Sequence, residues 1–217
     1  FRSYAIGKTS LAKVLVGVWK PLSGKVRLDG ADICQWDKAL LGPSIGYLPQ
    51  DVELFDGTIA QNIARFAQND SELIVAAALL AGVHEMILRL PQGYDTLLGA
   101  GGYQLSGGQR QRIGLARAVY NNPAFIVLDE PNANLDDAGE FALVKAINAL
   151  RTQGQTTVII SHRPTLLGVV NKVLLLNDGV IQEFGTRDQV FAHLRQANVL
   201  KPVATPSPST TEQQREA

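Results

Sequence analysis

Two hydrophobic patterns alternate along the chain, and together they predict an α/β fold. Short apolar runs of the kind found in buried strands lie at residues 44–49, 125–130 and 156–162. Apolar positions at helical spacing cover residues 8–19, 109–120 and 137–150. Because such strands and helices follow one another in turn, the pattern predicts a mostly parallel sheet with helices on both faces.

Other stretches depart from this alternation. Residues 23–33 and 172–185 alternate apolar and polar positions around glycines, which predicts short antiparallel hairpins. Residues 50–120 show only helical spacing, which predicts a helical subdomain inserted into the core at about residues 52–120. Residues 201–217 are rich in Pro, Ser, Thr and Gln, as disordered tails are, so the folded domain is predicted to cover residues 1–200.

Composition excludes several kinds of partner and site. Twenty Lys and Arg residues balance twenty Asp and Glu residues, so we expect no nucleic acid as a partner. The single cysteine, Cys34, excludes an internal disulfide and a cysteine-based zinc site. The longest apolar stretch, residues 73–83, is shorter than the ~20 residues that a membrane-spanning helix needs, and it predicts a buried helix. A membrane role therefore requires a partner or another part of the protein.

The sequence GKTS, at residues 7–10, is typical of the end of a phosphate-binding loop. In such a loop, backbone N–H groups and a helix N-terminus surround the phosphates, the lysine reaches the β- and γ-phosphates, and the hydroxyl binds Mg²⁺. Lys8 and Thr9 fit these two roles. The full pattern also requires a glycine at the position of Arg2, and the chain starts too late for the strand that launches the loop. Taken alone, the motif does not distinguish a nucleotide site from coincidence.

A second candidate site lies where the apolar run FIVL ends in two carboxylates, Asp129 and Glu130. The carboxyl ends of strands form the crevice in which α/β sheets bind ligands, and we expect this strand to expose both side chains there. Asp129 would help hold Mg²⁺ through water, and Glu130 would act as general base on an attacking water. In isolation, the pair also fits an acidic cap on a following helix.

The stretch LSGGQ, residues 105–109, predicts a second anion-binding site. Ser106 suits the N-cap of the helix that follows, and Gly107 and Gly108 let phosphate oxygens approach the backbone. This helix start is separate from the first phosphate loop. A simple helix cap explains the serine and leaves the rest of the pentapeptide unexplained.

Two polar residues follow other predicted strands. Gln50 comes directly after residues 44–49, where its amide would reach Mg²⁺ or the nucleophilic water. His162 ends the run TTVIISH and would contact the γ-phosphate. Each has an ordinary alternative, a turn residue for Gln50 and a surface group at a strand end for His162. As a set in this order, the motifs indicate a site that hydrolyses a nucleotide.

With these motifs in order, the chain resembles the nucleotide-binding domain of an ABC transporter over about residues 7–195. By this resemblance, IGKTS is the Walker A remnant, Gln50 the Q-loop, LSGGQ the signature and FIVLDE the Walker B strand. NANLD, residues 132–136, corresponds to the D-loop, and His162 to the switch histidine. The resemblance implies a P-loop NTPase fold with a RecA-like core, an inserted helical subdomain, a small antiparallel part and missing amino-terminal strands.

The resemblance also implies how the site is divided between two protein copies. ABC domains act as head-to-tail dimers that sandwich two ATP molecules, with Mg²⁺, between Walker A of one subunit and the signature of the other. The residues implied to act in cis are Lys8, Thr9, Gln50, Asp129, Glu130 and His162, and Gly7 and Ser10 are also implied to bind the nucleotide. Those implied to act in trans are Ser106, Gly107, Gly108 and Gln109. Among the cis residues, Glu130, His162 and Gln50 would be catalytic, and Thr9, Gln50 and Asp129 would hold the metal.

Longer stretches are similar to type I secretion ATPases that export proteases and RTX proteins. These stretches are IGYLPQDVELFDGTIAQNIARF, PQGYDT, DEPNANLD and SHRP. In that family the domain follows a transmembrane domain in the same chain and works with a periplasmic adaptor and an outer-membrane channel. The resemblance implies a domain at the cytoplasmic face of the bacterial inner membrane that powers protein secretion.

The chain departs from the family at its start and before the signature. The aromatic residue that stacks on adenine is absent, Arg2 replaces the first Walker A glycine, and Gly99-Ala100 stands where exporters have Gly-Glu. An arginine where φ must be positive costs backbone energy and adds bulk near the phosphates. We therefore expect weak or absent ATPase activity for the isolated chain, and a non-catalytic remnant stays an alternative. A soluble ABC ATPase of DNA repair or translation is a further alternative, disfavoured by the neutral charge.

Overall fold

The computed structural model describes residues 7–68, 70–99 and 101–196. The α-helices in these ranges are α1 (Lys8–Leu15), α2 (Lys38–Leu41), α3 (Ile59–Ile63), α4 (Ser71–Leu80), α5 (His84–Leu88), α6 (Gly107–Val119), α7 (Asp137–Thr152) and α8 (Arg187–Gln196). The strands are β1 (Arg27–Leu28), β2 (Ala31–Asp32), β3 (Ile45–Leu48), β4 (Gly57–Thr58), β5 (Leu97–Leu98), β6 (Phe125–Asp129), β7 (Thr156–Ile160), β8 (Lys172–Asn177) and β9 (Val180–Thr186). The predictions about Arg2, Ala100, the amino-terminal strands and the tail at 201–217 lie outside the described residues.

The centre of the fold is a parallel sheet in the order β3-β6-β7. Its middle strand is buried on both faces because helices cover each side. On one face, Ile126 and Leu128 join the apolar cluster of the helices that follow β3. On the other face, Val127 packs in a cluster with Ala12 of α1. This arrangement confirms the predicted α/β class with a parallel core sheet.

Three antiparallel strand pairs surround this sheet, namely β1–β2, β4–β5 and β8–β9. The first and last are the hairpins predicted from the sequence. The β4–β5 pair joins Thr58 to Leu97 inside the stretch predicted to be entirely helical, so that prediction was wrong in this detail. Strands of two residues are too short to show a hydrophobic period, and only the packed helices between them bring their ends together.

The helices between β3 and β6 share one hydrophobic core with the sheet. Ile59, Ile74 and Ile87, from α3, α4 and α5, lie in a buried cluster with Ile113 of α6 and Leu128 of β6. No helix among the described residues combines the length and apolarity needed to cross a membrane. Because the cluster runs without a break from helices to sheet, the subdomain boundary at about 52–120 stays a prediction.

Two helix ends differ from the sequence prediction because of local capping. α1 ends at Leu15 rather than near residue 19, since Gly17 adopts a left-handed φ of 73° that helps to close the helix. α6 begins at Gly107 rather than near residue 109, since Ser106 caps it. Gly107 and Gly108 therefore belong to the first turn of α6.

Candidate functional site

Residues predicted from separate motifs meet at one edge of the parallel sheet. The carboxyl ends of parallel strands lie side by side, so Gln50 after β3, Asp129 at the end of β6 and His162 after β7 come together. α1 packs against β6 and β7 and brings its first residues to the same edge. The set assembled there is Lys8, Thr9, Gln50, Asp129, Glu130 and His162.

The start of α1 presents main-chain donors without a side-chain cap. Gly7 is its N-cap, with φ 125° and ψ −35°, a conformation that residues with a Cβ rarely adopt. No described side chain caps this helix start, and the first N–H groups have no partner within the helix. Lys8, Thr9 and Ser10 form the first turn. The helix start therefore offers N–H groups, an ammonium group and hydroxyls, a composition suited to an anion.

Lys8, His162 and Glu130 form a continuous row of contacts. Nζ of Lys8 lies 3.3 Å from Nδ1 of His162, and Nε2 of His162 lies 3.2 Å from Oε1 of Glu130. Because an ammonium group only donates, Nδ1 accepts from Lys8, and Nε2 is the ring nitrogen that faces the carboxylate. The Glu130 side chain is 15% exposed and that of His162 53%. The carboxylate is thus sheltered, while the imidazole reaches solvent.

The main chain at Glu130 is held in an unusual conformation. Its φ of 49° lies in the left-handed region, which costs on the order of 1–2 kcal/mol for a residue with a side chain. Its N–H donates to the Ile160 carbonyl at 2.8 Å, and its own carbonyl accepts from Nε2 of Gln111 at 3.3 Å. The surrounding strand and helix hold this strain in place, as happens at functional positions. Gln111 was not among the predicted site residues, and its one signal is a polar residue on the buried face of α6.

Asp129 is buried, contrary to the prediction that β6 exposes it together with Glu130. Its exposed fraction is 0%, because it ends the central strand and pairs with Ile160 of β7. Neither carboxylate oxygen has a hydrogen-bond partner among the described residues. Burial raises the pKa of Asp129 above its ordinary value, and the nearby Thr9 hydroxyl opposes part of that rise.

The oxygen atoms at this edge fit a magnesium ion. The Thr9 hydroxyl donates to Oε1 of Gln50 across 3.5 Å, and Asp129 adds a buried carboxylate that a cation would neutralise. Hydroxyl, amide and carboxylate oxygens are hard donors of the kind that Mg²⁺ prefers. Within the described ranges, no group of three or more His, Cys, Asp or Glu residues is placed to hold a metal. The edge thus suits an ion that keeps water and phosphate ligands of its own, as Mg²⁺ does.

The start of α6 is a second polar feature, separate from the first. Oγ of Ser106 accepts from the Gln109 N–H at 3.2 Å, and Oε1 of Gln109 accepts from the Ser106 N–H at 2.8 Å. A side chain on Gly108 would come within 2.7 Å of the Asn134 carbonyl oxygen, so this close approach requires glycine. No hydrogen bond in the described part of the chain joins Ser106 or Gln109 to the sheet-edge residues. The structure therefore leaves these two predicted sets apart.

A polar network behind His162 was not found from the sequence. Oγ of Ser161 donates to Oδ1 of Asn132 at 3.2 Å, and Nδ2 of Asn132 donates to Oε1 of Glu140 at 3.4 Å. The Arg163 guanidinium pairs with the same Glu140 oxygen. Asn132 is 1% exposed, so the network is largely internal. It ties the segment that carries His162 to the segment after β6 and to α7.

Comparison with known proteins matches the ABC transporter family over residues 5–133. The chain is 53% identical over 207 residues to the type I secretion system ATP-binding protein PrsD of Rhizobium meliloti (strain 1021), covering 92% of this chain and 36% of that protein. It is 40% identical over 186 residues to the ABC transporter ATM1 of Toxoplasma gondii, covering 85% and 16%. It is 38% identical over 187 residues to the ATP-dependent lipid A-core flippase of Chromohalobacter salexigens, covering 86% and 32%. The chain thus spans between 16% and 36% of the length of these relatives.

Comparison with solved structures also places the fold in the ABC transporter family. The chain is similar to a bacterial Atm1-family ABC exporter with ATP bound, with a TM-score of 0.77 and 32% identity. The match covers 90% of this chain and 35% of that chain. It confirms the predicted P-loop NTPase fold class. The relatives carry several different transport descriptions, so no one kind of transported substrate follows from them.

Proposed function

The chain belongs to the ABC transporter family, and from that premise we propose that it binds and hydrolyses ATP to power type I secretion of a protein. The coarser statement, an ATP-binding domain of an ABC exporter, rests on the family match and on the exporter neighbour. The finer one is supported by the 53% identity to PrsD, which is described as a type I secretion protein. The single observation that carries hydrolysis is the row of contacts from Lys8 through His162 to Glu130.

Glu130 supplies the central proton transfer in this proposal. A water oxygen attacks the γ-phosphorus of ATP, the bond from that phosphorus to the bridging oxygen breaks, and ADP and phosphate form. The Glu130 carboxylate takes a proton from the water as general base. His162, which lies 3.2 Å from that carboxylate, orients it, and Gln50 orients the water. The left-handed main chain at Glu130 holds the base at the edge of the sheet.

The start of α1 binds the phosphates in the same proposal. Lys8 leaves its contact with His162 and reaches the β- and γ-phosphates, and the N–H groups of Gly7 to Ser10 donate to phosphate oxygens. Thr9, Gln50 and Asp129 would hold Mg²⁺. When bound, this ion neutralises charge that develops on the phosphate oxygens.

A second copy of the chain completes the site. The start of α6 has the donors and glycines of an anion site, yet among the described residues no hydrogen bond joins Ser106 or Gln109 to the sheet-edge residues of its own chain. We therefore place Ser106, Gly107, Gly108 and Gln109 on the ATP of a head-to-tail partner. ATP closes this dimer and hydrolysis reopens it, because the two states differ in their affinity for ATP and ADP.

The remaining partners would be parts of a larger exporter. They are a transmembrane domain, a periplasmic adaptor and an outer-membrane channel, with this domain at the cytoplasmic face of a bacterial inner membrane. Phe55 and Phe66 are 62% and 50% exposed and meet edge to face with ring centroids 6.0 Å apart. Phe55 follows Gln50 by five residues in the sequence, and a pair of exposed aromatic residues supports a protein contact on this surface. We place the transmembrane domain on this surface.

The test of the function is Glu130→Gln, with Glu183→Gln as its matched control. Both glutamates contact a histidine, since Glu183 lies 2.6 Å from Nδ1 of His193, but Glu183 lies on β9, outside the parallel sheet that carries Glu130. Glu130→Gln in the intact transporter is expected to slow ATP hydrolysis by about 10²–10⁴-fold, the usual contribution of a general base. ATP-driven dimerisation should persist, and Glu183→Gln should match the wild type in both assays.

Undiminished hydrolysis in Glu130→Gln would remove Glu130 from this role. Equilibrium binding of labelled ATP with Mg²⁺ to the chain itself tests the broader proposal. Binding that requires Lys8 supports the phosphate site. Complete absence of binding would instead favour the non-catalytic remnant.

A further inference from the structure

Arg65 joins three segments of the chain through main-chain carbonyls. It follows α3, and its guanidinium donates four hydrogen bonds of 2.9–3.1 Å. Two go to carbonyls before and at the start of β3, those of Gly42 and Ile45. The other two go to carbonyls in the last turn of α6, those of Arg117 and Ala118. One side chain thus links α3, β3 and α6.

Carbonyl dipoles, rather than a carboxylate, compensate the charge of Arg65. None of the ion pairs formed among the described residues involves it. Burial lowers the pKa of Arg65, and the nearby Arg117 lowers it further. The carboxyl end of α6 carries the negative end of the helix dipole, which favours a cation at that place. A guanidinium group suits this site because it has enough N–H donors for all four carbonyls.

The main chain at Arg65 is strained in a way that depends on its surroundings. Arg65 and Phe66 have φ values of 56° and 57°, two consecutive left-handed residues that both carry side chains. Phe66 packs edge to face on Phe55, and Arg65 forms the carbonyl contacts described above. Strain of this kind persists where neighbouring contacts determine the conformation.

The contact between β3 and α6 is close at this point. A Cβ on Gly46 would lie 2.1 Å from the Ala118 oxygen, so the last turn of α6 rests directly on β3. From this junction, β3 leads within a few residues to Gln50. α6 runs back over 13 residues, about 20 Å, to Ser106. The directions of β3 and α6 at the junction therefore determine the relative positions of Gln50 and Ser106.

We infer that Arg65 is a positioning residue that sets the start of α6 relative to the strand that ends at Gln50. It would act on nucleotide chemistry through α6 and β3, without contact with ATP. The inference deepens the proposed function, because it assigns Arg65 to the geometry between the residues that act in cis and those that act in trans.

The first test measures amide hydrogen exchange in the full chain without nucleotide. Arg65→Met is compared with Arg65→Lys and with Arg89→Met, a matched control in the same helical region whose arginine is exposed. Segments 42–48 and 115–119 are expected to exchange about tenfold faster or more in Arg65→Met, since buried carbonyls lose their donors. Arg65→Lys should fall between Arg65→Met and the wild type, because an ammonium group cannot serve all four carbonyls. Arg89→Met should match the wild type.

The second test measures ATP affinity and ATP-driven dimerisation separately, in a Glu130→Gln background. Loss of Arg65 is expected to leave ATP affinity within about twofold and to weaken dimerisation by about fivefold or more, the range of ordinary coupling energies. If Arg65 had a purely structural role, its loss would lower ATP affinity, dimerisation and the melting temperature together.

Two outcomes would overturn the inference. One is exchange in Arg65→Met that equals that of Arg89→Met. The other is faster exchange spread evenly over the chain, with ATP affinity falling in step with dimerisation. If Arg65→Met does not fold, Arg65→Lys carries the same comparison. If the wild type binds no ATP, the proposed function fails, while the exchange result still decides whether Arg65 holds α6 on β3.

Discussion

The starts of α1 and α6 are both candidate anion sites, yet they differ in how their side chains are used. At the start of α1, none of the side chains that the structure describes caps the helix, and Lys8 and Thr9 reach across to His162 and Gln50. At the start of α6, the polar side chains of Ser106 and Gln109 cap the helix reciprocally. The first site is joined to three strands of its own chain, whereas the second is complete within one helical turn.

This difference separates residues that take part in chemistry from residues that present a surface. The α1 side brings together a base, an imidazole and a buried carboxylate, whose contacts must change when phosphate binds. The α6 side is held rigidly by its capping box and by the close approach of Gly108 to Asn134. A rigid, self-satisfied helix start is suited to docking on a ligand that another copy holds.

The largest expected effect comes from removing the charge at the start of α1. Lys8→Met should weaken ATP binding by about 10–100-fold, because a charge-assisted hydrogen bond to phosphate is lost. Lys145→Met, an exposed lysine on α7, is the control and should leave the affinity unchanged. Titration with a fluorescent ATP analogue measures both. Equal affinities for the two variants would contradict the assignment of Lys8.

A smaller effect is expected from the start of α6, and the chain offers a close control for it. Ser106→Ala and Thr58→Ala each remove the hydroxyl of a capping box, since Thr58 forms the same arrangement with Gln61 at α3. Each should lower the free energy of unfolding by about 1 kcal/mol. Only Ser106→Ala should also weaken ATP-driven dimerisation, by about fivefold, as a phosphate contact is lost.

Sedimentation in the Glu130→Gln background measures this dimerisation, and denaturant titration measures stability. If Thr58→Ala weakened dimerisation as much as Ser106→Ala did, the effect would come from helix stability alone. In that case the capping box at the start of α6 would serve only to stabilise the helix, and the proposed phosphate contact of Ser106 would be wrong.

A further effect, on stability rather than on nucleotide binding, concerns the buried charge on the α1 side. Since burial raises the pKa of Asp129, the folded state holds its proton more tightly than the unfolded state does. Stability is therefore lost as pH rises from the unfolded pKa of ~3.9 through the folded one. In Mg²⁺-free buffer at pH 7, Asp129→Asn should be more stable than the wild type by about 1–3 kcal/mol.

Thermal melts across pH check this prediction. The advantage of Asp129→Asn should shrink as pH falls toward ~4, where the wild-type carboxyl is also neutral. Asp29→Asn, in an exposed turn with φ 50°, is the control and should show no such dependence. A wild type that is more stable than Asp129→Asn at pH 7 without Mg²⁺ would show that the carboxylate has partners beyond those described.

Much of the fold and of the candidate site could be predicted from local sequence. The run before Asp129 and the run TTVIISH predicted parallel strands, and their carboxyl ends do meet at one edge. Ser106 was predicted as a helix cap because capping depends on neighbours within one turn, and it caps α6. These features rest on short-range rules.

Other features depend on residues distant in sequence and were missed. Asp129 was expected to be exposed, but it is buried. Its position at the end of a strand does not reveal whether neighbouring elements cover it on both sides. Gln111 and the Asn132–Glu140 contact were missed, since polar residues on helices and in turns are usually solvated. The β4–β5 pair was missed because long-range pairing leaves no period in two-residue strands.

The sequence by itself determined the three core strands, the helices α1, α6 and α7, the two helix starts rich in glycine and the residue types that suit a nucleotide. Tertiary structure alone decided which of these residues touch. It placed Lys8, His162 and Glu130 in one row and left Ser106 and Gln109 apart from it. The physical reason is that periodicity and capping act over a few residues, whereas a site at a sheet edge depends on how distant strands and α1 pack together.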